Sequence, residues 1–227
     1  MKIAVLNFSG NVGKSTLTRH LFAPRIKNCT VIPIETINEN GNENSNIKGK
    51  HFKEVLVELA LLDNAVVDIG SSNIEQVFDQ LKSLADAHED FDYYVVPTVP
   101  SIKQQADTMK LLFELVSLGI ETEKIRIIFN QVEADETVEK TFPKLYTFCK
   151  DNDISTEAVV YMNDLFSMLK DTEIADAVNN TNDIKAKMAK TDNLDEKRKL
   201  ATLLTVSRLA KGVQKNLDDV FKVMFHE

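Results

Sequence analysis

The chain has 227 residues, of which 43% are hydrophobic and 27% charged, and its formal net charge is −8. This length suits one α/β domain with a full core. No apolar run approaches the about 18–20 residues that a membrane span requires, so we expect a soluble, cytoplasmic protein without stable membrane insertion. The first residues are typical of a first strand and not of a signal peptide, because their apolar stretch is short and carries one lysine.

The charge is distributed unevenly. Residues 183–227 contain ten Lys/Arg and seven Asp/Glu, a net charge of +3, whereas the remainder carries −11. Four basic residues of this tail recur at helical spacing and form a basic stripe, defined as Arg208, Lys211, Lys215 and Lys222. The overall acidity argues against wholesale electrostatic binding to DNA. The stripe suits either contact with phosphate or an acidic partner, or a merely solvated helix face.

Short Val/Ile-rich runs alternate with helical patterns along most of the chain. This alternation predicts an α/β fold with a doubly wound, mainly parallel sheet and ligand chemistry at the carboxyl ends of the strands. The predicted strands are Lys2–Leu6, Thr30–Ile34, Ala65–Ile69, Tyr93–Pro97, Ile125–Phe129 and Ala158–Tyr161. The predicted helices are Lys14–Phe22, Phe52–Leu62, Ile74–Ala87, Ile102–Leu118 and Val138–Cys149.

Two regions depart from this alternation. Residues 38–50 contain five Asn and two Gly without hydrophobic periodicity, which predicts a loop that is either a switch or partner-contact segment or an insertion without a role. Residues 171–227 are predicted to form a helical extension that packs on the domain of residues 1–170, with one long helix from Asp195. Its apolar stripe is Leu200, Leu203, Leu204, Val213, Leu217, Val220, Phe221 and Met224. The two cysteines, Cys29 and Cys149, show no metal-ligand spacing and are expected to be reduced.

A phosphate-binding loop follows the first predicted strand. Gly10 and Gly13 allow the backbone N–H groups to converge on an anion, and Lys14 would reach the β- and γ-phosphates. Ser15 would supply a hydroxyl to Mg²⁺, and Thr16 would bond a phosphate from the helix N-terminus. We therefore expect ATP or ADP with Mg²⁺ at this loop. The predicted nucleotide-binding residues here are Ser9, Gly10, Asn11, Val12, Gly13, Lys14, Ser15 and Thr16.

The loop resembles the deviant Walker A motif of the ParA/MinD family of ATPases, Lys-Gly-Gly-x-Gly-Lys-[Ser/Thr]. Further stretches resemble the same family in the same order over residues 1–170. Residues 66–70 resemble the Walker B strand, where Asp68 would act on the magnesium site together with Ser15. Residues 96–101 are similar to the exit of the fourth strand. Asn130 would end the fifth strand, where its amide either meets an adenine edge or is only that of a turn residue. Residues 162–163 would cover the base.

The sequence also departs from the family pattern at positions that matter for hydrolysis. Ser9 stands where the family has its signature lysine, which the resemblance assigns to phosphates across a nucleotide-sandwich dimer. Asn11 replaces a glycine but tolerates left-handed backbone angles. Ile37 stands where the family has the aspartate that orients the attacking water, with Glu39 as the nearest substitute. The candidate catalytic residues are therefore Lys14, Asp68 and Glu39, and we expect ATP hydrolysis to be slow or partner-stimulated.

Within the family, residues 8–14 together with Ala-Pro-Arg at 23–25 look most like the StbB/TraL-type proteins of conjugative plasmids. This resemblance implies a nucleotide-dependent switch in plasmid partition, plasmid stability or conjugative transfer. Its partner would be a plasmid-encoded DNA-binding or transfer protein, with indirect or weak DNA contact and a nucleotide-dependent homodimer. Two alternatives are open. One is a small-molecule kinase or dethiobiotin synthetase-like ligase, for which residues 71–73 are the only nearby polar cluster, and the other is a scaffold that binds nucleotide without hydrolysing it.

Overall fold

The computed structural model of the protein describes residues 1–35, 52–169, 172–179 and 181–225. Their centre is a six-stranded sheet with the strand order β2-β3-β1-β4-β5-β6, in which every neighbouring pair is parallel. The strands are β1 Lys2–Val5, β2 Thr30–Ile34, β3 Ala65–Ile69, β4 Tyr93–Thr98, β5 Ile125–Val132 and β6 Val159–Tyr161. The predicted doubly wound parallel sheet is confirmed.

Helices cover both faces of this sheet. They are α1 Lys14–Leu17, α2 Phe52–Ala60, α3 Ile74–Ser83, α4 Ile102–Ser117, α5 Val138–Thr141, α6 Pro143–Asp151, α7 Leu165–Met168, α8 Ile174–Asn179, α9 Thr181–Lys190 and α10 Leu194–Phe225. A π-helical turn, Thr18–Phe22, directly continues α1. Because π turns are rare and the side-chain periodicity is close to that of an α-helix, the sequence predicted one uniform helix over this stretch.

Alternating side chains of the strands divide the core into two layers. Ile3 and Val5 of β1 face a cluster that contains Leu17, Leu21 and residues of α10. Ala4 belongs to the opposite cluster, which includes residues of α2, α3, α4 and α6. Since successive residues of a strand point to opposite faces, two continuous apolar layers follow from the short Val/Ile runs.

The central strand β1 lies between β3 and β4, with Val5 opposite Asp68 on one side and Val95 on the other. The strand order therefore reverses direction next to β1. In open parallel sheets such a switch point leaves a crevice outside the carboxyl ends of the strands. The residues that follow β1 and the last residues of β3 meet in this crevice.

The C-terminal helix α10 is 32 residues long, which confirms the predicted long helix and the C-terminal helical extension. Most of its apolar stripe is buried against the sheet, α1 and the π turn, but Leu203 is 52% exposed, so the expected burial of that residue is wrong. Arg25 fastens α10 to the segment after the phosphate loop through two hydrogen bonds to Asp218 Oδ1, of 2.9 and 2.7 Å. The domain division at residue 170 stays a prediction.

The single helix predicted over Val138–Cys149 is wrong, because the structure has two helices, α5 and α6, that meet at Phe142. Phe142 has φ −127° and ψ 50°, outside the helical region, and Pro143 begins α6. The proline ring disfavours a helical conformation of the residue before it, and proline is well accommodated at the first position of a helix. The sequence signal was present in Pro143.

Candidate functional site

The loop between β1 and α1 has the backbone conformation of an anion cradle. Asn11 has φ 58° and Gly13 has φ 91°, so both residues adopt left-handed angles. A β-carbon on Gly13 would lie 2.3 Å from Asn130 Nδ2, which leaves room for glycine alone. The left-handed conformation that we expected Asn11 to tolerate is present. Val12 is fully buried, so it contributes its backbone and not its side chain to the loop surface.

Lys14 is only 8% exposed and its ammonium is held by the loop itself. Nζ donates to Ser9 O at 2.9 Å and to Asn7 O at 3.4 Å. Burial lowers the pKa of Lys14, whereas the charges of Asp68 and Glu35 act in the opposite direction and favour the ammonium. The two carbonyl oxygens hold Nζ over the loop, where its charge would face a bound phosphate.

Asp68 and Ser15 meet beside this lysine. Asp68 is 6% exposed, and its Oδ1 is buried without any hydrogen-bond partner. Burial raises the pKa of Asp68, while the nearby Ser15 side chain and the Lys14 charge lower it. An unpartnered buried carboxylate oxygen is costly unless a ligand meets it. A hydroxyl and a carboxylate are the oxygen donors that Mg²⁺ prefers, so these two residues fit that ion.

Helix α4 holds the start of the loop through contacts that the sequence did not reveal. Asn7 Nδ2 donates to Thr108 Oγ1 at 2.8 Å and to Pro97 O at 2.9 Å. Ser9 Oγ donates to Asp107 Oδ2 at 2.6 Å. The Gln104 side chain then donates to Gly10 O at 3.1 Å. These hydrogen bonds fix the loop from Asn7 to Gly10, and no sequence motif marks the three α4 residues that make them.

Asn130 fastens the opposite side of the loop. Its Nδ2 donates to Val12 O at 3.0 Å, and its Oδ1 accepts the Gln131 N–H at 3.0 Å. Gln131 has φ 58°, and the register of β5 against β6 shifts between Asn130 and Val132. The amide that we assigned to an adenine edge thus has a structural contact of its own. Its contact with a base stays a prediction.

A cavity of about 320 Å³ opens beside Asn130. The cavity brings together residues that the sequence analysis named separately, and it adds others that the sequence did not single out, such as Phe166. The lining includes Gly13, Thr16, Asn130, Met162, Asn163 and Phe166. Its volume falls within the range of small-molecule sites, and it adjoins the loop at Gly13.

Several predicted residues lie outside the part of the chain that the structure describes. These are Ile37 and Glu39, together with the whole Asn-rich segment 38–50. Glu35, the last described residue before them, is exposed. Within the described residues, no group of three or more His, Cys, Asp or Glu could hold a metal ion, which leaves the Ser15–Asp68 pair as the candidate magnesium site. Also within these residues, no helix is both long and apolar enough to cross a bilayer.

The sheet order and the crevice at β1 define the fold of the MinD/ParA-type P-loop NTPases, as comparison with solved structures shows. MinD of Pyrococcus horikoshii OT3, solved with Mg-ADP, is similar with a TM-score of 0.53 and 14% identity over 99% of this chain and 97% of that one. A chain of the MinC:MinD cell division protein complex of Aquifex aeolicus gives a TM-score of 0.55 and 13% identity over 77% of this chain and 88% of its own.

Apo McdA of Cyanothece is also similar, with a TM-score of 0.52 and 12% identity over 98% of each chain. At the level of sequence, no protein-family model and no curated protein matches. The likeness to solved structures therefore defines the fold, and the function must be argued from the site.

Proposed function

We propose that the protein binds ATP or ADP with Mg²⁺ at residues 9–16 and acts as a nucleotide-dependent switch. The observation that carries this proposal is the meeting of Lys14, Ser15 and the unpartnered Asp68 Oδ1 beside a loop with left-handed Asn11 and Gly13. A cation, a hydroxyl and a carboxylate placed together at the carboxyl ends of parallel strands suit a magnesium-bound phosphate chain.

Each group has one task in this proposal. Backbone N–H groups of residues 10–13 bind phosphate oxygens, and Lys14 neutralises their charge. Ser15 and Asp68 hold Mg²⁺, which when bound neutralises charge on the phosphates, and Thr16 bonds a phosphate at the helix N-terminus. Asn130 borders the cavity that would take the base.

We propose that ATP hydrolysis is slow without a partner. Ser9 cannot supply the charge of a lysine, and its hydroxyl is already bonded to Asp107. Ile37 has no group that accepts a proton, and Glu39 is the sequence-based substitute. Binding and release of nucleotide, with hydrolysis as a reset, then suit a switch better than a fast catalyst.

The proposed partner is a plasmid-encoded DNA-binding or transfer protein, and the proposed setting is plasmid partition, stability or conjugative transfer in the cytoplasm. This step depends on the short StbB/TraL-like stretches. The MinC:MinD structure gives a precedent for a neighbour that works in complex with another protein. The basic stripe supports contact with DNA or an acidic partner, because its four side chains are exposed and make no ion pair within the described residues. A nucleotide-dependent homodimer is part of the same proposal.

The small-molecule enzyme finds less support. Its candidate polar cluster, residues 71–73, includes Asn73. This residue is only 4% exposed, and its side-chain amide donates to Ile34 O at 3.1 Å. A side chain committed in this way holds the fold together, which leaves little of the cluster to recognise a second substrate.

ATP turnover measured with and without DNA and candidate plasmid partners tests the switch. We expect slow basal turnover that rises when a partner is added, and the Lys211→Gln/Lys215→Gln variant should lose that stimulation if the basic stripe is the contact. The Lys185→Gln/Lys190→Gln variant, which changes two exposed lysines of α9, is the charge-matched control. Fast turnover without any partner would contradict the switch, and absence of nucleotide binding would contradict the site.

A further inference from the structure

We propose that two copies of the chain associate head to tail, with a ridge on helix α2 of one copy seated in a groove of the C-terminal extension of the other. The ridge is defined as the exposed residues Glu54, Val57, Glu58 and Leu61. The groove is the cavity between α7, α8, α9 and α10. Neither surface contains a residue of the proposed nucleotide site, so this contact is separate from the proposed nucleotide-dependent homodimer.

The groove is an apolar cavity of about 330 Å³ at the surface of the extension. Its rim carries Met168 of α7 and Leu203 of α10, which are 46% and 52% exposed. Its floor consists of the buried side chains of Leu169, Ala177, Ile184 and Leu200. Leu203 is a member of the apolar stripe of α10 that the fold leaves exposed. An apolar side chain from a second molecule would fill the cavity and bury this rim.

The ridge presents apolar side chains to solvent. Its four residues follow steps of three and four, so they share one helix face. Val57 is 66% exposed and Leu61 is 84% exposed, whereas Phe52 and Val55 on the inner side of α2 are completely buried. Leu61 comes directly after the helix, where its N–H donates to Glu58 O at 3.0 Å. Its side chain therefore projects at the end of the ridge and suits insertion into a cavity.

The two surfaces carry opposite charge. Residues 53–63 contain one lysine and three Asp/Glu, a net charge of −2, whereas residues 183–203 contain six Lys/Arg and four Asp/Glu, a net charge of +2. Glu58 adds a carboxylate to the ridge. Lys199 lies one helical turn before Leu203 and makes no ion pair within the described residues. Opposite charges beside an apolar contact favour this orientation of the two copies.

The acidic residue inside the groove does not oppose this match. Asp183 lines the groove, but Lys187 pairs with it, with Nζ and Oδ2 2.6 Å apart. Because this pair is neutral as a whole, the unpaired Lys199 determines the sign of the charge at the rim. A carboxylate from a second copy is therefore attracted to the groove and not repelled.

The ridge and the groove lie on opposite faces of the sheet. The buried residues of α2 belong to the core layer of α3, α4 and α6, whereas Leu169 and Ala177 of the groove floor belong to the layer of α10. One copy therefore cannot form the contact with itself. Two copies leave one ridge and one groove unused, so the contact is heterologous and can add further copies as the concentration rises.

Sedimentation equilibrium of the nucleotide-free 227-residue chain tests the proposal. We expect reversible association with a dissociation constant between about 10 μM and 1 mM, because the contact is small, and weaker association at high salt. The Lys14→Gln variant should associate as the wild type does. Failure of ATP binding therefore leaves this proposal standing, whereas a chain without self-association at about 1 mM overturns it whether or not ATP binds.

Two exposed leucines of α10 give a matched pair of variants. Leu203→Ser should weaken self-association at least about tenfold, because it removes part of the apolar rim. Leu194→Ser is the control, since Leu194 is 64% exposed but does not line the groove, and it should leave self-association unchanged. Equal effects of the two variants would overturn the proposal.

A charge exchange tests the orientation of the two copies. Glu58→Lys and Lys199→Glu should each weaken self-association at least about threefold, and a mixture of the two variants should associate as the wild type does, because each then meets an opposite charge. Misfolding cannot produce this recovery. Association that survives Leu203→Ser and both charge reversals would overturn the proposal. A monomeric wild type whose partner-stimulated turnover is lost in Leu203→Ser would also overturn it, and would assign the groove to the partner protein.

Discussion

The Ser9 hydroxyl donates a 2.6 Å hydrogen bond to Oδ2 of Asp107, so the first residue of the phosphate loop is attached to helix α4. Ser9 is 7% exposed, and its own N–H donates to Asn7 Oδ1 at 2.8 Å. The position at which the ParA/MinD-type motif has a lysine is therefore used here to fix the loop. This contact explains how the loop keeps its shape although its sequence departs from the motif.

Ser9→Ala should lower the free energy of unfolding by about 1–2 kcal/mol, because the Asp107 carboxylate loses a charge-assisted hydrogen bond. Urea denaturation measures this change. Ser117→Ala is the control, since that exposed hydroxyl bonds only to Phe113 O within its own helix, and its effect should stay within about 0.5 kcal/mol. Equal effects of the two variants would show that the Ser9 contact does not stabilise the loop.

Two glycines give a matched pair of substitutions. Gly13→Ala should abolish measurable ATP binding, because its β-carbon would clash with Asn130 Nδ2 at a left-handed φ of 91°.

Gly212 lies in α10 with nothing within 4 Å of an added β-carbon, so Gly212→Ala should stabilise the fold by about 0.5–1 kcal/mol. Calorimetric ATP titration and thermal unfolding check both results. Retained ATP affinity in Gly13→Ala would contradict the cradle geometry.

Arg25 should be a main support of the C-terminal helix. Besides Asp218, its guanidinium donates to His20 O at 2.8 Å and Leu21 O at 2.9 Å. Arg25→Ala should lower the free energy of unfolding by at least about 2 kcal/mol, and Arg25→Lys should recover little because an ammonium lacks the planar fork. Arg208→Ala, at an exposed and unpaired arginine of the described chain, is the control in the same urea experiment. A full recovery by lysine would contradict the geometry.

Because His20 is buried, we expect the free energy of unfolding to fall on mild acidification. Burial lowers the pKa of His20 below its ordinary value of 6.5, the charge of Arg19 lowers it further, and that of Glu173 opposes them. The unfolded chain therefore binds a proton at a higher pH than the folded chain does. Stability should fall as the pH drops through about 6.5 toward the lowered pKa.

Free energies of unfolding at about pH 7.5 and about pH 5 measure this effect, which amounts to about 1.4 kcal/mol for each unit of pKa difference. The His20→Gln variant should lose less stability over this range than the wild type. An equal loss in both proteins would mean that other groups cause the pH dependence.

The periodicity of the sequence was enough to predict the six strands and the long α10, because buried parallel strands are short runs of Val and Ile. It did not distinguish the π turn at Thr18–Phe22 from ordinary helix. At the site, the local motif of residues 9–16 indicated a loop that could bind phosphate, and the nucleotide-binding roles of its residues stay predictions. The Ser9–Asp107 contact was not, because it joins residues that are 98 positions apart and depends on how α4 packs beside β1.

Asn130 shows the same limit in another form. The sequence predicted that its amide follows the end of the fifth strand and meets the base. In the structure Asn130 lies within β5, beside the phosphate loop, and donates to Val12 O across 118 positions, while its contact with a base stays a prediction. A motif indicates which groups gather at an edge of the sheet. The hydrogen bonds among them depend on tertiary packing that a local pattern does not contain.

A titration of wild-type protein and the Lys14→Gln variant with ATP and Mg²⁺ tests the central claim most directly. We predict saturable binding by the wild type and at least about 100-fold weaker binding by Lys14→Gln, because the variant loses the cation that faces the phosphates. Lys185→Gln, at an exposed lysine of α9, should bind as the wild type does. Equal affinity of the wild type and Lys14→Gln would contradict the assignment of residues 9–16 as a nucleotide site.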